Sequence, residues 1–406
     1  MDSLINAAAQ ALATGDPLGA LKRVALRNDA PALALRGIAM AQLGDLARAK
    51  ILLRKAARAF GPRQAVARAR CVVAEAEIAL VSRDLSFSAK ALEAARGALA
   101  RHGDRGNAAH ARHLEIRRLL LIGRLDEAER MLANFEEVLL PAALRAAHAL
   151  AIAGIALRRL RIKTARAALV EAERAARQAG IPALMAEVDS TARVLTAPAV
   201  RLIAPGEDRL LLLEDVEALL HSGALVVDAC RHVVRDADTV VSFTTRPVLF
   251  ALLRALGEAW PADVPRSTLL ARAFRAKHAD ESHRARLRVE ITRLRLKLRA
   301  VADVSATPLG FALAPRGARN VVVIAPPVED QYASLIAFLA DGEAWPSSAL
   351  ALALGASART VQRALDELAG AGKVQSYGRG RAQRWLTRPL PGFTTTLLLP
   401  GPLPSD

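Results

Sequence analysis

Two matching turns constrain this chain more than any other feature. Leu43-Gly44-Asp45-Leu46-Ala47-Arg48-Ala49, followed by Ala56, returns as Ile122-Gly123-Arg124-Leu125-Asp126-Glu127-Ala128-Glu129. Glycine at the turn supplies the positive φ that ends one helix, and the small residue five positions later lets the next helix pack back closely. Ala89 and Ala165 continue the phase, so the alanines at 49, 89, 128 and 165 stand 40, 39 and 37 residues apart. One such helix pair cannot bury its own faces, so pairs of this period stack into an all-α array with a concave groove.

The pattern resembles tetratricopeptide-like repeats with slightly long helices, over residues 1–198, with Met40 standing where the family usually has Tyr. The resemblance implies a sensor or dimerisation domain whose groove takes a peptide, a protein or a small-molecule effector. A dimerisation or spacer domain without a ligand is the alternative. Arg63, Arg68, Arg70, Arg117 and Arg118 are candidates to line the groove.

With 406 residues, 52% of them hydrophobic and 24% charged, the chain has material for several cores, which excludes general disorder. The net charge is +17, carried by 49 arginines and 8 lysines. Codon bias in a GC-rich genome raises Arg and Ala together, so distribution says more than the sum. Residues 1–195 carry +12, 196–241 carry −4, 242–325 carry +9 and 326–406 are neutral. A positive balance favours an anionic partner, nucleic acid before membrane. Ala197-Pro198, Pro205-Gly206 and Pro326-Pro327 punctuate the blocks, and Pro389 to Pro404 forms a Pro-rich tail. The expected domains are therefore 1–198, 199–325, 326–388 and a tail, 389–406. Cys71 and Cys230 lack metal-ligand spacing, and the start, MDSLINAAAQALATGD, has no basic n-region. No stretch approaches about 18 uninterrupted apolar residues, so a cytoplasmic protein off the membrane is expected.

From Ala224 the chemistry changes. Ala224 to Asp228 and Thr239 to Phe243 read as strands broken by an Arg235-Asp-Ala-Asp238 turn. A helix over Arg246 to Leu256 follows, with Thr245 as cap and Pro247 in the first turn, then helices over Arg266 to Phe274 and Ser282 to Arg299. In the last of these, Leu287, Ile291, Leu294 and Leu298 recur at spacings of 4, 3 and 4, forming a stripe to bury. At about 100° per residue the opposite face carries Arg288, Val289, Thr292 and Arg293, flanked by Arg284, Arg286, Arg295 and Arg299. Glu290 is the only acidic residue between Arg284 and Arg299, so ion pairing within the helix does not account for the arginines. Such a face suits a major groove, where Arg pairs with guanine and its neighbours meet phosphates.

Residues 224–314 resemble the winged-helix effector domain of the OmpR/PhoB response-regulator family. The likeness rests on the leading sheet, the helix after Phe243-Thr-Thr-Arg-Pro247, the run from Arg286 to Leu298, and Gly310-Phe311 of a closing hairpin. The family pattern implies DNA-facing positions at Arg288, Val289, Thr292 and Arg293, with Arg286 and Arg295 near phosphates. The wing, Val304 to Gly310, departs from it in having no arginine for the minor groove. A helical array stands where the family has a receiver domain, so activation by aspartyl phosphorylation is not expected.

Residues 328–388 repeat the architecture in shorter form. Helices over Val328 to Leu339 and Ser347 to Leu354 lead through Gly355-Ala356 into Ser357 to Leu368, with Ser357 as N-cap. Val361, Leu365 and Leu368 bury one face, and Arg359, Thr360, Gln362 and Arg363 point away. Val374 to Trp385 reads as a two-stranded wing with Arg379, Arg381 and Arg384 near its tip; Tyr377 and Trp385 there could stack on bases, but an aromatic content of 3% argues against a dedicated single-strand or RNA platform. This part resembles the compact winged helices of many bacterial regulators. Gly392 to Pro400 is strand-like, a candidate edge strand exchanged in a dimer.

Phosphate-loop, dinucleotide-fold, zincin and nucleophile-elbow motifs are all missing, so no enzyme, metal or cofactor is expected. His102, His110 and His113 cluster, but no Cys or carboxylate completes a tight ligand set, so a surface or packing role is expected. The expected function is a sequence-specific, double-stranded-DNA-binding transcription regulator, a nucleoid-associated homodimer of bacterial type. The alternative is a repeat-based adaptor whose winged helices bind proteins.

Overall fold

The computed structural model describes residues 2–82, 84–85, 87–133, 141–236, 239–274, 281–317, 320–327, 332–339, 344–371, 373–378, 380 and 383–387. A mostly helical N-terminal region is followed by a region with small sheets. The chain divides into two compact units, one drawn from Met1–Arg159, Lys163–Ala192 and Ser334–Asp406, the other from Leu160–Ile162 and Arg193–Ala333.

In the first unit helices pair through short turns. α1 (Ser3–Ala13) and α2 (Pro17–Val24), α3 (Ala30–Gln42) and α4 (Leu46–Phe60), and α5 (Ala65–Val81) and α6 (Ala89–Arg101) follow one another. Then come α7 (Arg105–Leu121) and α8 (Leu125–Ala133), α9 (Ala142–Arg158) and α10 (Ile162–Ala179), and finally α11 (Pro182–Thr196). Asp16, Asp29, Asp45 and Asp104 cap four of these helices, each accepting from the backbone N–H three residues on. Gly44 and Gly123 hold φ of 86° and 76° at their turns, and Ala49, Ala128 and Ala165 are fully buried. The phase at Ala89 is corrected: Ala89 opens α6 half-buried, and the buried fourth position of that helix is Leu92. At the α9–α10 turn a leucine replaces glycine. Leu160 takes φ 55° and packs beside Val200, Leu202 and Val216 of the second unit, to which it belongs.

That unit opens with β1 (Val200–Ala204), β2 (Glu207–Leu211), α12 (Leu213–Leu220), β3 (Leu225–Asp228), β4 (Val233–Asp236) and β5 (Thr239–Ser242). It continues through α13 (Pro247–Ala259), β6 (Val264–Pro265), α14 (Arg266–Phe274), α15 (Glu281–Leu298), β7 (Ala302–Ala306), β8 (Gly310–Pro315) and β9 (Val321–Ala325). Three local expectations need correction. Pro205-Gly206 is the turn of the β1–β2 hairpin rather than a boundary, Arg235 and Asp236 pair within β4, and Arg246 rather than Thr245 caps α13. The other two residues of the expected turn, 237 and 238, lie outside the described residues.

The leading sheet has six strands in the order β2-β1-β9-β3-β4-β5. β9 comes from beyond the hairpin and lies between β1 and β3, parallel to β3 and antiparallel to β1. Val321-Val322-Val323-Ile324-Ala325 is buried throughout, as a strand covered on both faces must be. Val322 and Ile324 join Val226 and Leu202 on the face toward α12, while Val321 and Val323 join Leu225 and Val227 on the other. On that second face α13 comes close because residue 257 is glycine: a β-carbon there would lie 3.1 Å from Val323 Cγ2 and 3.3 Å from Val227 Cγ2. Phe250, Leu253, Leu256, Leu287, Ile291, Leu294 and Leu298 complete the same core. Sheet and three-helix module are thus one hydrophobic body, with each large apolar side chain contributing about 1.5–3 kcal/mol of burial.

β6, β7 and β8 form a separate small sheet in the order β6-β8-β7. The C-terminal part repeats this order. After α16 (Ala333–Leu339), Trp345 pairs with Trp385, and α17 (Ser347–Leu354) and α18 (Ala358–Gly370) precede the hairpin of β10 (Val374–Tyr377) and β11 (Arg384–Thr387). Residues 328–331 of the expected first helix and the whole tail, 389–406, lie outside the described residues.

Candidate nucleic-acid interface

α15 sorts its residues by burial. Leu287, Ile291, Leu294 and Leu298 are inside, while Arg284, Arg286, Arg288, Val289, Thr292, Arg293 and Arg299 are exposed. Period alone explains the sorting: spacings of 4, 3 and 4 keep the aliphatic side chains on the stripe that faces α13 and the sheet. Val289, 49% exposed, gives the charged face an apolar point.

The arginines are not equivalent. Arg286 stacks its guanidinium over the Phe274 ring, 4.6 Å from the centroid, at the end of α14. Arg293 donates to Glu290 Oε1 at 2.8 Å, and since Glu290 is 13% exposed against 59% for Arg293, the carboxylate lies below the face and the guanidinium on it. Thr292 donates its hydroxyl to the Arg288 carbonyl, which leaves its methyl group as the part free to make apolar contact. Arg295 is half-buried and donates from Nε to the Val304 carbonyl of β7 at 2.7 Å, so it is partly committed to holding the hairpin rather than lying wholly free for phosphate.

The hairpin has a cation after all, supplied from elsewhere. Arg266, the first residue of α14, donates to the carbonyls of Pro308 at 3.0 Å and Thr307 at 3.1 Å, and its guanidinium lies 5.4 Å from the Phe311 ring centroid. Nothing in the sequence announces it, because a side-chain donor on the backbone carbonyls of a turn some forty residues away leaves no periodic signal.

In the C-terminal module, Gly355 turns in the left-handed conformation at φ 61°, and Ser357 accepts from the Thr360 N–H at 3.1 Å. Val361, Leu365 and Leu368 are buried, and Arg359, Thr360 and Arg363 exposed. The Ser357 and Thr360 hydroxyls bond one another at 2.8 Å, and Gln362 donates to Asp366, so these three side chains are partly engaged locally. Arg384 is half-buried and donates to the Gln383 carbonyl. Arg379 and Arg381 lie outside the described residues. Tyr377 is exposed, whereas Trp385 is buried beside its strand partner Trp345 and is not available for stacking on bases.

A second cationic feature lies in the same unit as α15, an open groove of about 460 Å³ lined by Arg201, Ile203, Ala251, Arg254, Glu258 and Arg272. Glu258 bonds both Arg254 and Arg272 there. In the helical unit His110, His113 and His148 are all buried, with His110 Nε2 at 3.1 Å from Glu77 Oε2, while His102 is exposed. Burial pushes the His113 imidazole well below its ordinary pKa, and Arg117, His110 and His148 add to the effect. Burial likewise raises the Cys71 thiol to about 12, which keeps it protonated. Among the described residues no cluster of His, Cys, Asp and Glu is placed to hold a metal ion, and no helix is long and apolar enough to cross a membrane. No protein-family model, curated protein or solved structure matches the chain.

Proposed function

We propose that the chain is a sequence-specific regulator of transcription that binds double-stranded DNA through two winged helices. The first is of the OmpR/PhoB type, and a tetratricopeptide-like array modulates the activity. The observation that carries the reading is the exposed face of α15, where Arg288, Val289, Thr292 and Arg293 stand together above a fully buried aliphatic stripe. The repeated strand order, β6-β8-β7 and Trp345-β11-β10, supports two modules of one kind, each with a helix that exposes arginines before its hairpin. Successive helix pairs with glycine turns support the array.

On this reading Arg288 and Arg293 reach guanine edges, and Val289 with the Thr292 methyl meets thymine methyl groups, each good pair giving about 1–3 kcal/mol of discrimination. Arg284, Arg286 and Arg299 set register on phosphates, and Arg359 and Arg363 do the same work on α18. No catalytic step, metal or cofactor is part of the proposal, and the protein acts as a homodimer on the nucleoid. The test is a gel retardation series with the DNA upstream of its own gene over a range of salt. Binding should be selective and weaken steeply as salt rises. Equal affinity of the wild type and the Arg288→Ala/Arg293→Ala variant for every fragment would overturn the reading.

A further inference from the structure

The β7–β8 turn is built as a rigid apolar point. Leu309 at its tip is 66% exposed, and Pro308 precedes it. Everything beneath that tip is fastened. Thr307 donates its hydroxyl to Asp263 Oδ2 at 2.5 Å and accepts from the Gly310 N–H at 2.9 Å. Thr307 N–H in turn donates to the Gly310 carbonyl at 3.0 Å. Arg266 holds the Thr307 and Pro308 carbonyls from the other side, and Gly310 lies so close to β6 that a β-carbon would fall 1.8 Å from the Val264 carbonyl oxygen. A leucine this exposed gains nothing for folding, and a turn tied at Asp263, Arg266 and Val264 cannot fold back to cover it.

We infer that Leu309 is a minor-groove wedge, entering between two stacked base pairs next to the segment that α15 reads and kinking the duplex there. The inference rests on the DNA-binding reading above and goes beyond it by assigning a deformation, and a preference for easily unstacked steps, to a residue that makes no hydrogen bond with its side chain. Arg295 joins β7 to α15, so the tip and the arginine face move as one piece. Arg266 brings the cation that the negative minor groove favours, leaving the turn itself free to be apolar. Intercalating side chains are of this kind, aliphatic or proline on a stiff support, and pyrimidine–purine steps such as TpA yield most readily to them.

The experiment uses the full chain and a duplex of about thirty base pairs with 2-aminopurine replacing adenine at its TpA steps. Anisotropy reports binding, and 2-aminopurine fluorescence reports unstacking. The wild type should raise the fluorescence on saturation. Leu309→Ala should lose at least about half of that rise while its dissociation constant moves less than about threefold, and Leu309→Met should keep the rise. Both variants should melt at the wild-type temperature, since the side chain is exposed. An equal rise with Leu309→Ala, or none with saturating wild type, overturns the wedge and leaves DNA binding standing. Failure of the wild type to bind at about 50 mM salt removes the DNA-binding reading itself, and the wedge with it.

Discussion

Arg295 donates from Nε to the carbonyl oxygen of Val304 at 2.7 Å, fastening the last turns of α15 to the strand that follows. A half-buried charged donor on the backbone of a buried residue contributes about 1.5–3 kcal/mol. Arg295→Ala should therefore lower the unfolding free energy by that order, read as a lower urea midpoint, whereas Arg299→Ala, exposed on the same helix, should change stability by no more than about 0.5 kcal/mol. Equal midpoints for the two variants would mean that the bond contributes nothing.

Leu294 is fully buried in the core that α15 shares with α13 and the six-stranded sheet. Leu294→Ala should cost about 2–5 kcal/mol. Because the core is common, strand and helix signals of the second unit should be lost together in urea. A separate, earlier loss of helix would contradict the single core.

Gly257 permits the approach of α13 to Val323 and Val227. On propensity alone Gly257→Ala should stabilise this position in the last turn of α13 by no more than about 0.5–1 kcal/mol. The contacts at 3.1 and 3.3 Å oppose this, and overpacking of about 1–3 kcal/mol should win. Thermal unfolding gives the sign directly.

His113 is buried with its pKa held well below the ordinary value. The unfolded chain therefore takes up this proton before the folded one does, so the contribution to stability is complete above about pH 6.5 and is lost progressively as the pH falls below it. Glu77 beside His110, together with His148 and Arg117, faces the same interior and sets the background against which this is measured. Melting of the helical unit should fall between pH 7 and pH 5, and His113→Gln should flatten the fall. An unchanged slope in that variant would place the titration on another group.

The arginine face of α15 was legible in the sequence because a helix writes its two faces at fixed spacing, and Leu287 to Leu298 did so without interruption. The links that complete the candidate site were not. Arg295 reaches Val304 and Arg266 reaches Pro308 through side-chain bonds to backbone, which leave no pattern in the chain. The Ala89 phase misled for a related reason: alanine is small enough to be tolerated half-exposed at the start of α6, while the position that needs burial there is filled by Leu92. Val321 to Ala325 is apolar enough to announce a strand, but nothing local says that it belongs between β1 and β3 rather than beside the hairpin it follows.

That placement has a consequence for how the protein is made on the ribosome. Leu225 must wait for Val321, and until the later segment emerges β1 and β3 each present a bare edge to whatever strand is nearby. Roughly a hundred residues of synthesis, at about 5–20 residues per second, separate the two, a delay of several seconds in which a nascent chain is open to wrong pairing and to chaperones.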